Sequence, residues 1–235
     1  MLFITTLAIS AICTVNPNAQ NLGALIYNDI SISVEDELAS DVLLALKEDL
    51  GLLMKVYWET DDTDGCDTTK TISLTLRNQP AVVVLERIAN QMGKEEDRAT
   101  WQLRDGVVEV GLKSVLSKKS SQRLVTYPIM DLLFVVGDFS FLDQNNNQKT
   151  QPTDDEKQIR IDELIEKITL LVETEMWEQN GGTCTITNYR ETLLIRAPDF
   201  VHRQIGGYAF MPLKPTDVKE RQVRYGDGRT SVRRN

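Results

Sequence analysis

The sequence predicts an α+β fold of two small domains. Each is of strand–helix–strand–strand–helix type, with its helices packed on one face of a small mixed sheet. Three observations carry this. Segments that alternate apolar and polar residues, such as Ile30, Ile32 and Val34, are interleaved with segments of helical period, such as Val42, Ala45 and Leu46. The same order of segments occurs twice. A polar stretch, Lys113 to Gln122 (KSVLSKKSSQ), separates the two occurrences. At 235 residues and 41% hydrophobic composition, each half has material for its own core.

The first unit, residues 29–120, opens with the strand through Ile30, Ile32 and Val34. Leu38, Val42, Ala45 and Leu46 then follow helical spacing, and Gly51 supplies a left-handed stop. Met54, Val56 and Trp58 alternate as a strand, and Glu59 to Thr69 is an acidic loop. Thr71 to Arg77 (TISLTLR) is a strand with Ile72, Leu74 and Leu76 on one face. Asn78 as cap and Pro80 in the first turn start a helix that Val83, Val84, Ile88 and Met92 carry to Gly93. Trp101–Arg104 and Val107–Val110 flank Asp105-Gly106, a dipeptide that tolerates the positive φ angles of a type I′ hairpin turn.

The second unit, residues 121–212, begins with Leu124, Tyr127-Pro128, Ile129 and Leu132-Leu133, a strand and a short turn of helix. Asp143 to Lys157 is poor in apolar residues and reads as an exposed loop. Ile161, Leu164, Ile165, Ile168, Leu171 and Val172 make an amphipathic helix. Trp177 is expected to fold over that helix's end and cover the following hairpin rather than stand out as an anchor for a partner. Gly181-Gly182 turns the chain into strands Thr183–Tyr189 and Thr192–Ala197, joined around Arg190-Glu191. Pro198-Asp199 starts a last helix through Phe200, Val201 and Ile205, which Gly206-Gly207 ends. The tail, 213–235, carries seven basic and three acidic residues from Lys214 onward and reads as a mobile basic terminus.

No charged residue precedes Asp29. Leu2 to Val15 is apolar apart from Thr and Ser, the length of a signal-peptide core. Asn16-Pro17-Asn18 is expected to break any helix, and Ala19 is small enough for a cleavage site, so residues 1–19 read as a signal peptide. The competing reading of this segment is a buried amino-terminal strand. Export would leave Cys66 and Cys184, either as a disulfide or as two independent thiols. A net charge of −9 argues against nucleic acid as a partner. No run of 18 apolar residues exists to span a membrane.

Candidate chemistry is sparse. Asp61, Asp62 and Asp64 lie in a loop that resembles a calcium loop around Gly65, but Thr60 and Thr71 occupy the end positions where carboxylates belong. Asp143, Asn145, Asn147 and Asp154 come closer to that spacing, with Gln148 in place of the turn glycine. His202 is the sole histidine; no nucleophile stands in a recognisable context beside it, and it reads as a surface or partly packed residue. Glu163 with Glu166, and Asp154 with Asp155, sit on helix-start or loop sequence. Gly181-Gly182 and Gly206-Gly207 lack phosphate-loop spacing. No catalytic, cofactor-binding or metal residue is assigned, no cofactor is expected, and the chain reads as not an enzyme. The alternative is an enzyme or carbohydrate-processing protein using Asp61, Asp62 and Asp64.

A family resemblance adds to this reading. The helix ending in Asp49-Leu50-Gly51, the run TISLTLRNQP, the helix through Leu85 and Ile88, and the RDGVVEV hairpin resemble the short amino-terminal domain shared by secretins and TonB-dependent receptors. Leu164-Ile165, Trp177, Gly181-Gly182, Leu193-Leu194-Ile195 and Phe200 to Ile205 (FVHRQI) are similar to the ring-building domains of secretins. Val125 to Leu133 (VTYPIMDLL) joins the two in a combination similar to a group of uncharacterised exported bacterial proteins. The resemblance implies an exported, periplasmic, non-enzymatic interaction or assembly module of the cell envelope, secretin-like without a pore. Its implied partners are envelope proteins, further copies of the chain among them. Exposed sheet edges such as Thr192–Ala197 are expected to pair with partner strands.

Overall fold

A computed structural model describes residues 16–133, 153–216, 221–226 and 229–234. Helix α1 (Pro17–Tyr27) comes first. Asn16 caps it by accepting a hydrogen bond from the Asn18 N–H, and Pro17 sits in the first turn, where a missing N–H costs nothing. Asn16-Pro17-Asn18 therefore starts a helix instead of breaking one. Strand β1 (Asp29–Leu38), α2 (Ala39–Leu50), β2 (Met54–Val56), β3 (Thr71–Pro80), α3 (Ala81–Met92), β4 (Ala99–Arg104) and β5 (Val107–Leu112) follow. β1 and β3 form a two-stranded antiparallel sheet. A separate three-stranded mixed sheet has the order β2-β5-β4. α3 packs against β3 of one sheet and β4 of the other. Leu22 and Leu25 of α1 join Leu43, Ile72, Leu85, Ile88, Trp101 and Val110 in the first core.

Local chemistry sets several boundaries. Gly51 ends α2 at φ 62°, and Asp105 and Gly106 adopt φ 50° and 80° in the hairpin turn, as the sequence requires. Asn78 is not the cap of α3. β3 runs on to Pro80, and Asn78 takes a left-handed φ of 50° while its N–H donates to Ser31 Oγ. A side chain that favours caps also tolerates this conformation, which is why the sequence leaves the choice open.

Lys113 to Gln122 is structured. Helix α4 (Lys113–Leu116) is followed by a 3-10 turn, Lys119–Ser121. Neighbouring Val115 and Leu116 are buried in different cores, the first and the second respectively. The second unit then runs through β6 (Arg123–Pro128), α5 (Met130–Leu133), α6 (Asp154–Leu171), 3-10 turns at Thr174–Met176 and Glu178–Asn180, β7 (Thr185–Asn188), β8 (Thr192–Ala197) and α7 (Asp199–Gly206). Its sheet has the order β6-β8-β7 and is antiparallel throughout, so the expected mixed sheet occurs only in the first unit. β8 is the central strand. Thr192–Ala197 is therefore no open edge, which corrects the expectation of pairing there.

Thr153 and Glu156 form a capping box at the start of α6. Ile161 is buried and Leu164, Ile165 and Ile168 are half-buried, but Leu171 is 77% exposed. It lies about 80° around the helix from Ile161 and so falls outside the stripe. The β7–β8 turn places Arg190 and Glu191 at φ 48° and 59°, left-handed positions more usual for Asn or Gly. Lys157 Nζ lies 2.9 Å from the Glu191 carboxylate, and the Ile129 N–H donates to Glu191 O, holding the turn.

The chain's later part departs from a mobile tail beginning at 213. Tyr208 stacks on Trp101 with ring centroids 6.5 Å apart, and the Leu213 N–H donates to Ala19 O at 2.8 Å. Gly23 permits this return: a Cβ there would lie 1.6 Å from Leu213 O. Residues beyond form an antiparallel hairpin of β9 (Arg221–Gly226) and β10 (Arg229–Arg234).

Trp177 is 1% exposed, and its Nε1–H donates to Val172 O at 2.6 Å, so it closes the end of α6 as the sequence predicts. Trp177→Ala is expected to cost about 3–5 kcal/mol, and Trp177→Phe, which keeps most of the bulk, clearly less. Chemical denaturation measures both; equal, negligible losses would contradict a packing role.

Candidate functional site

Strand β1 and helix α2 leave a groove of about 780 Å³ between them. Strand alternation puts Ile30, Ile32 and Val34 on one face of β1, and helical spacing turns Val42, Ala45 and Leu46 of α2 toward the same space. Glu37, Asp41, Glu48 and Asp49 line its margin and are exposed. β1 pairs with β3 on one edge; among the described residues no strand pairs with the other. The register shifts between Ile30 and Ile32 and again between Val34 and Glu37. Asp36, at φ 54°, fixes the second bulge by exchanging hydrogen bonds with Ser73 Oγ. The groove thus combines an apolar floor, open backbone groups and a negative rim. That combination suits an extended chain that alternates apolar and basic residues.

Most other sheet edges are shorter. β2 has three residues, β7 four and β6 six, whereas β3 equals β1 with ten. β4 is covered by α7 of the second unit: Asp199 Oδ2 accepts from the Leu103 N–H at 3.4 Å while Asp199 Oδ1 pairs with Arg123 at 2.7 Å. Beside it the Arg203 guanidinium lies 4.1 Å from the centre of the Trp101 ring. Lys113 Nζ meets Glu173 at 2.6 Å, and Gln204 donates to the other oxygen of Glu173 at 2.7 Å. β1 and its partner β3, with ten residues each, are the longest strands, and each has one edge that no strand pairs with among the described residues; the apolar groove lies beside β1.

One buried polar cluster resembles an active site in composition and differs in geometry. Glu109, 4% exposed, accepts hydrogen bonds from Tyr57 Oη, Gln102 Nε2 and both Nε and Nη2 of Arg104 at 2.7–3.0 Å. Burial alone would raise its carboxyl, but the bonds from Arg104, Gln102 and Tyr57 outweigh burial and hold it below the usual carboxylate range. A carboxylate so fully engaged is tuned to stay ionised, not to move protons.

His202 is 1% exposed, fully buried rather than at the surface or partly packed as expected. Tyr127 Oη lies 2.9 Å from Nδ1, and Nε2 lies 3.1 Å from Arg123 O. A carbonyl only accepts, so Nε2 carries the proton and Nδ1 accepts from the tyrosine. Its partners sit on β6, too far along the chain for helical spacing on α7 to reveal them. Cys66 and Cys184 are free thiols buried in separate cores, so the disulfide alternative does not occur. Burial, chiefly, pushes them up to about 11 and about 12, which makes them poor nucleophiles.

Asp61, Asp62 and Asp64 are exposed on their loop. Asp143, Asn145, Asn147 and Gln148 lie outside the described residues, whereas Asp154, Asp155 and Glu156 form the first turn of α6, where they complement the helix dipole. Glu163 and Glu166 are exposed on the same helix. Among the described residues no three His, Cys, Asp or Glu side chains are placed to hold a metal ion. No helix among them is long and apolar enough to cross a membrane. Against known protein families and curated proteins, the chain matches no family model and no curated relative. The groove is what sequence reasoning missed. Its only signal was the cluster of Glu37, Asp41, Glu48 and Asp49 around two apolar faces, which says nothing of which edge stays open.

The histidine yields a pH test. Burial, above all, lowers its folded-state affinity for a proton below the ordinary value of 6.5. The unfolded chain then binds the proton more readily, so stability is full above about pH 6.5 and falls as pH drops below it. Urea midpoints measured from about pH 8 to about pH 5 should decline on the acid side, with a smaller decline in His202→Gln. Identical pH profiles would contradict the assignment.

Proposed function

We propose that the chain is an exported, non-enzymatic protein–protein interaction module of the cell envelope, secretin-like without a pore, and that it docks its partner in the β1–α2 groove. One observation carries the reading: a ten-residue strand with an open edge beside an apolar, acid-rimmed groove. Such an edge adds a partner strand through main-chain hydrogen bonds, with side-chain pockets giving selectivity. The segment order behind the secretin-like resemblance supports it, since strand, helix, two strands, helix and hairpin follow one another from Asp29 to Leu112.

Export rests on the uncharged, apolar start. A cut after Ala19 would remove the Asn16 cap, the Asn18 Oδ1 acceptor for the Gly106 N–H and the Ala19 carbonyl that holds Leu213. We place the cut before Asn16. Amino-terminal sequencing of the envelope-borne protein should then begin no later than Asn16; a start at Gln20 would refute the revised position, and an intact Met1 would refute processing.

The docking reading is tested with two synthetic strand peptides, one alternating Val and Arg, the other Val and Glu. The basic peptide should bind and perturb the amide resonances of Asp29–Leu38 and Ala39–Leu50, while the acidic peptide should not. Ala45→Trp fills the groove floor from an exposed position and should weaken binding at least about ten-fold with the circular dichroism unchanged. Equal binding of both peptides, or binding indifferent to Ala45→Trp, would overturn the reading.

A further inference from the structure

The β9–β10 hairpin has the chemistry that the groove lacks. Its residues include Arg221, Arg224, Arg229, Arg233 and Arg234. Val223 and Val232 stand opposite each other in the register, and Tyr225 lies two residues along from Val223, so the three share one face, with Arg221 opposite Arg234 at its end. The hairpin is a sheet of two strands that, among the described residues, pairs with no other strand. A lone two-stranded hairpin is only marginally stable in water and gains from a further strand. β1–β3 is likewise a two-stranded sheet with an open edge. A six-residue hairpin strand spans about 20 Å, enough to run beside the regular part of β1.

Building on the docking reading above, we infer that the β1–α2 groove receives the basic β9–β10 hairpin of a second copy of this chain. Val223, Tyr225 and Val232 would lie over Ile32, Val34, Val42 and Ala45, and the arginines would face Glu37, Asp41, Glu48 and Asp49. Among the described residues the hairpin pairs with itself and not with β1 of its own chain, and the occupant proposed is therefore the hairpin of a neighbour. Groove and hairpin are different surfaces. Their union is head-to-tail, and it builds closed rings or open chains rather than a twofold dimer.

Sedimentation equilibrium of the full chain tests this. Association should rise with concentration beyond a dimer and weaken at least about ten-fold from about 50 mM to about 500 mM salt, as screening predicts. A chain ending at Thr216 should be monomeric, as should Asp41→Lys/Glu48→Lys and, separately, Arg221→Glu/Arg234→Glu. Mixing the two charge-reversed chains should restore association, since each then offers a complementary surface. That rescue also separates charge pairing from misfolding. Association that survives the truncation, a closed dimer, or a mixture that stays monomeric would overturn the inference. A monomeric full chain that binds the basic peptide in an Ala45→Trp-sensitive way would overturn it and leave the docking reading intact. A monomer that gains peptide affinity on removal of the tail, or of residues 2–15, would show that the chain covers its own groove, which also overturns it. A chain that neither associates nor binds the peptide would overturn both readings.

Discussion

The junction between α7 and β4 is the constraint on which the rest of the molecule depends. A three-stranded sheet ending in β4 would present a six-residue edge. Asp199 answers it at one point by accepting from the Leu103 N–H, and the same carboxylate holds Arg123 at the start of β6. One side chain thus ties the first sheet, the second sheet and the helix between them. The Arg203 guanidinium on the Trp101 ring and the Lys113–Glu173–Gln204 group extend the contact across α7. Adjacent Val115 and Leu116 then place α4 in both cores at once. With β4 covered and β8 central, β1 and β3 are left as the longest strands with an edge unpaired among the described residues, and α2 makes the groove beside β1.

Features with local causes were legible in the sequence. Asp105-Gly106 makes its turn because two adjacent residues suffice to specify it, and Gly51 ends α2 for the same reason. The period of Val83, Val84, Ile88 and Met92 marks α3; Val84, Ile88 and Met92 are buried and Val83 is half-buried. Helix α1 was not legible. Asn21 donates to Gly106 O across 85 positions, and Gly23 is required by Leu213, so the reasons for that helix lie at the far end of the chain. His202 failed in the same way, since its partner Tyr127 is 75 positions away. The place of β8 within its sheet depends on which strands flank it, and alternation gives strands without neighbours. The groove combines both cases: its residues were assigned correctly to a strand and a helix, and its openness was invisible.

Charge links the fold to the proposed role. The chain as a whole carries −9, whereas the segment from Lys214 onward holds seven basic residues against three acidic ones. Separating charge in this way favours contacts between unlike regions and disfavours pairing of like surfaces, which sets direction as well as partner. The buried polar groups point the other way. Glu109 is saturated with donors, His202 has both nitrogens engaged, and Cys66 and Cys184 are sealed in separate cores, so these groups specify the interior and leave recognition to the surface.

The central claim is that β1 presents a free edge in the isolated molecule. Amide hydrogen exchange on the dilute chain tests it most directly, because a central strand and an open edge differ in protection whatever the partner is. The account requires slow exchange along Thr192–Ala197, and fast exchange at alternate amides of Asp29–Leu38 that slows when the groove is filled. Uniform, slow exchange along β1 in the dilute chain, equal to that of β8, would contradict it.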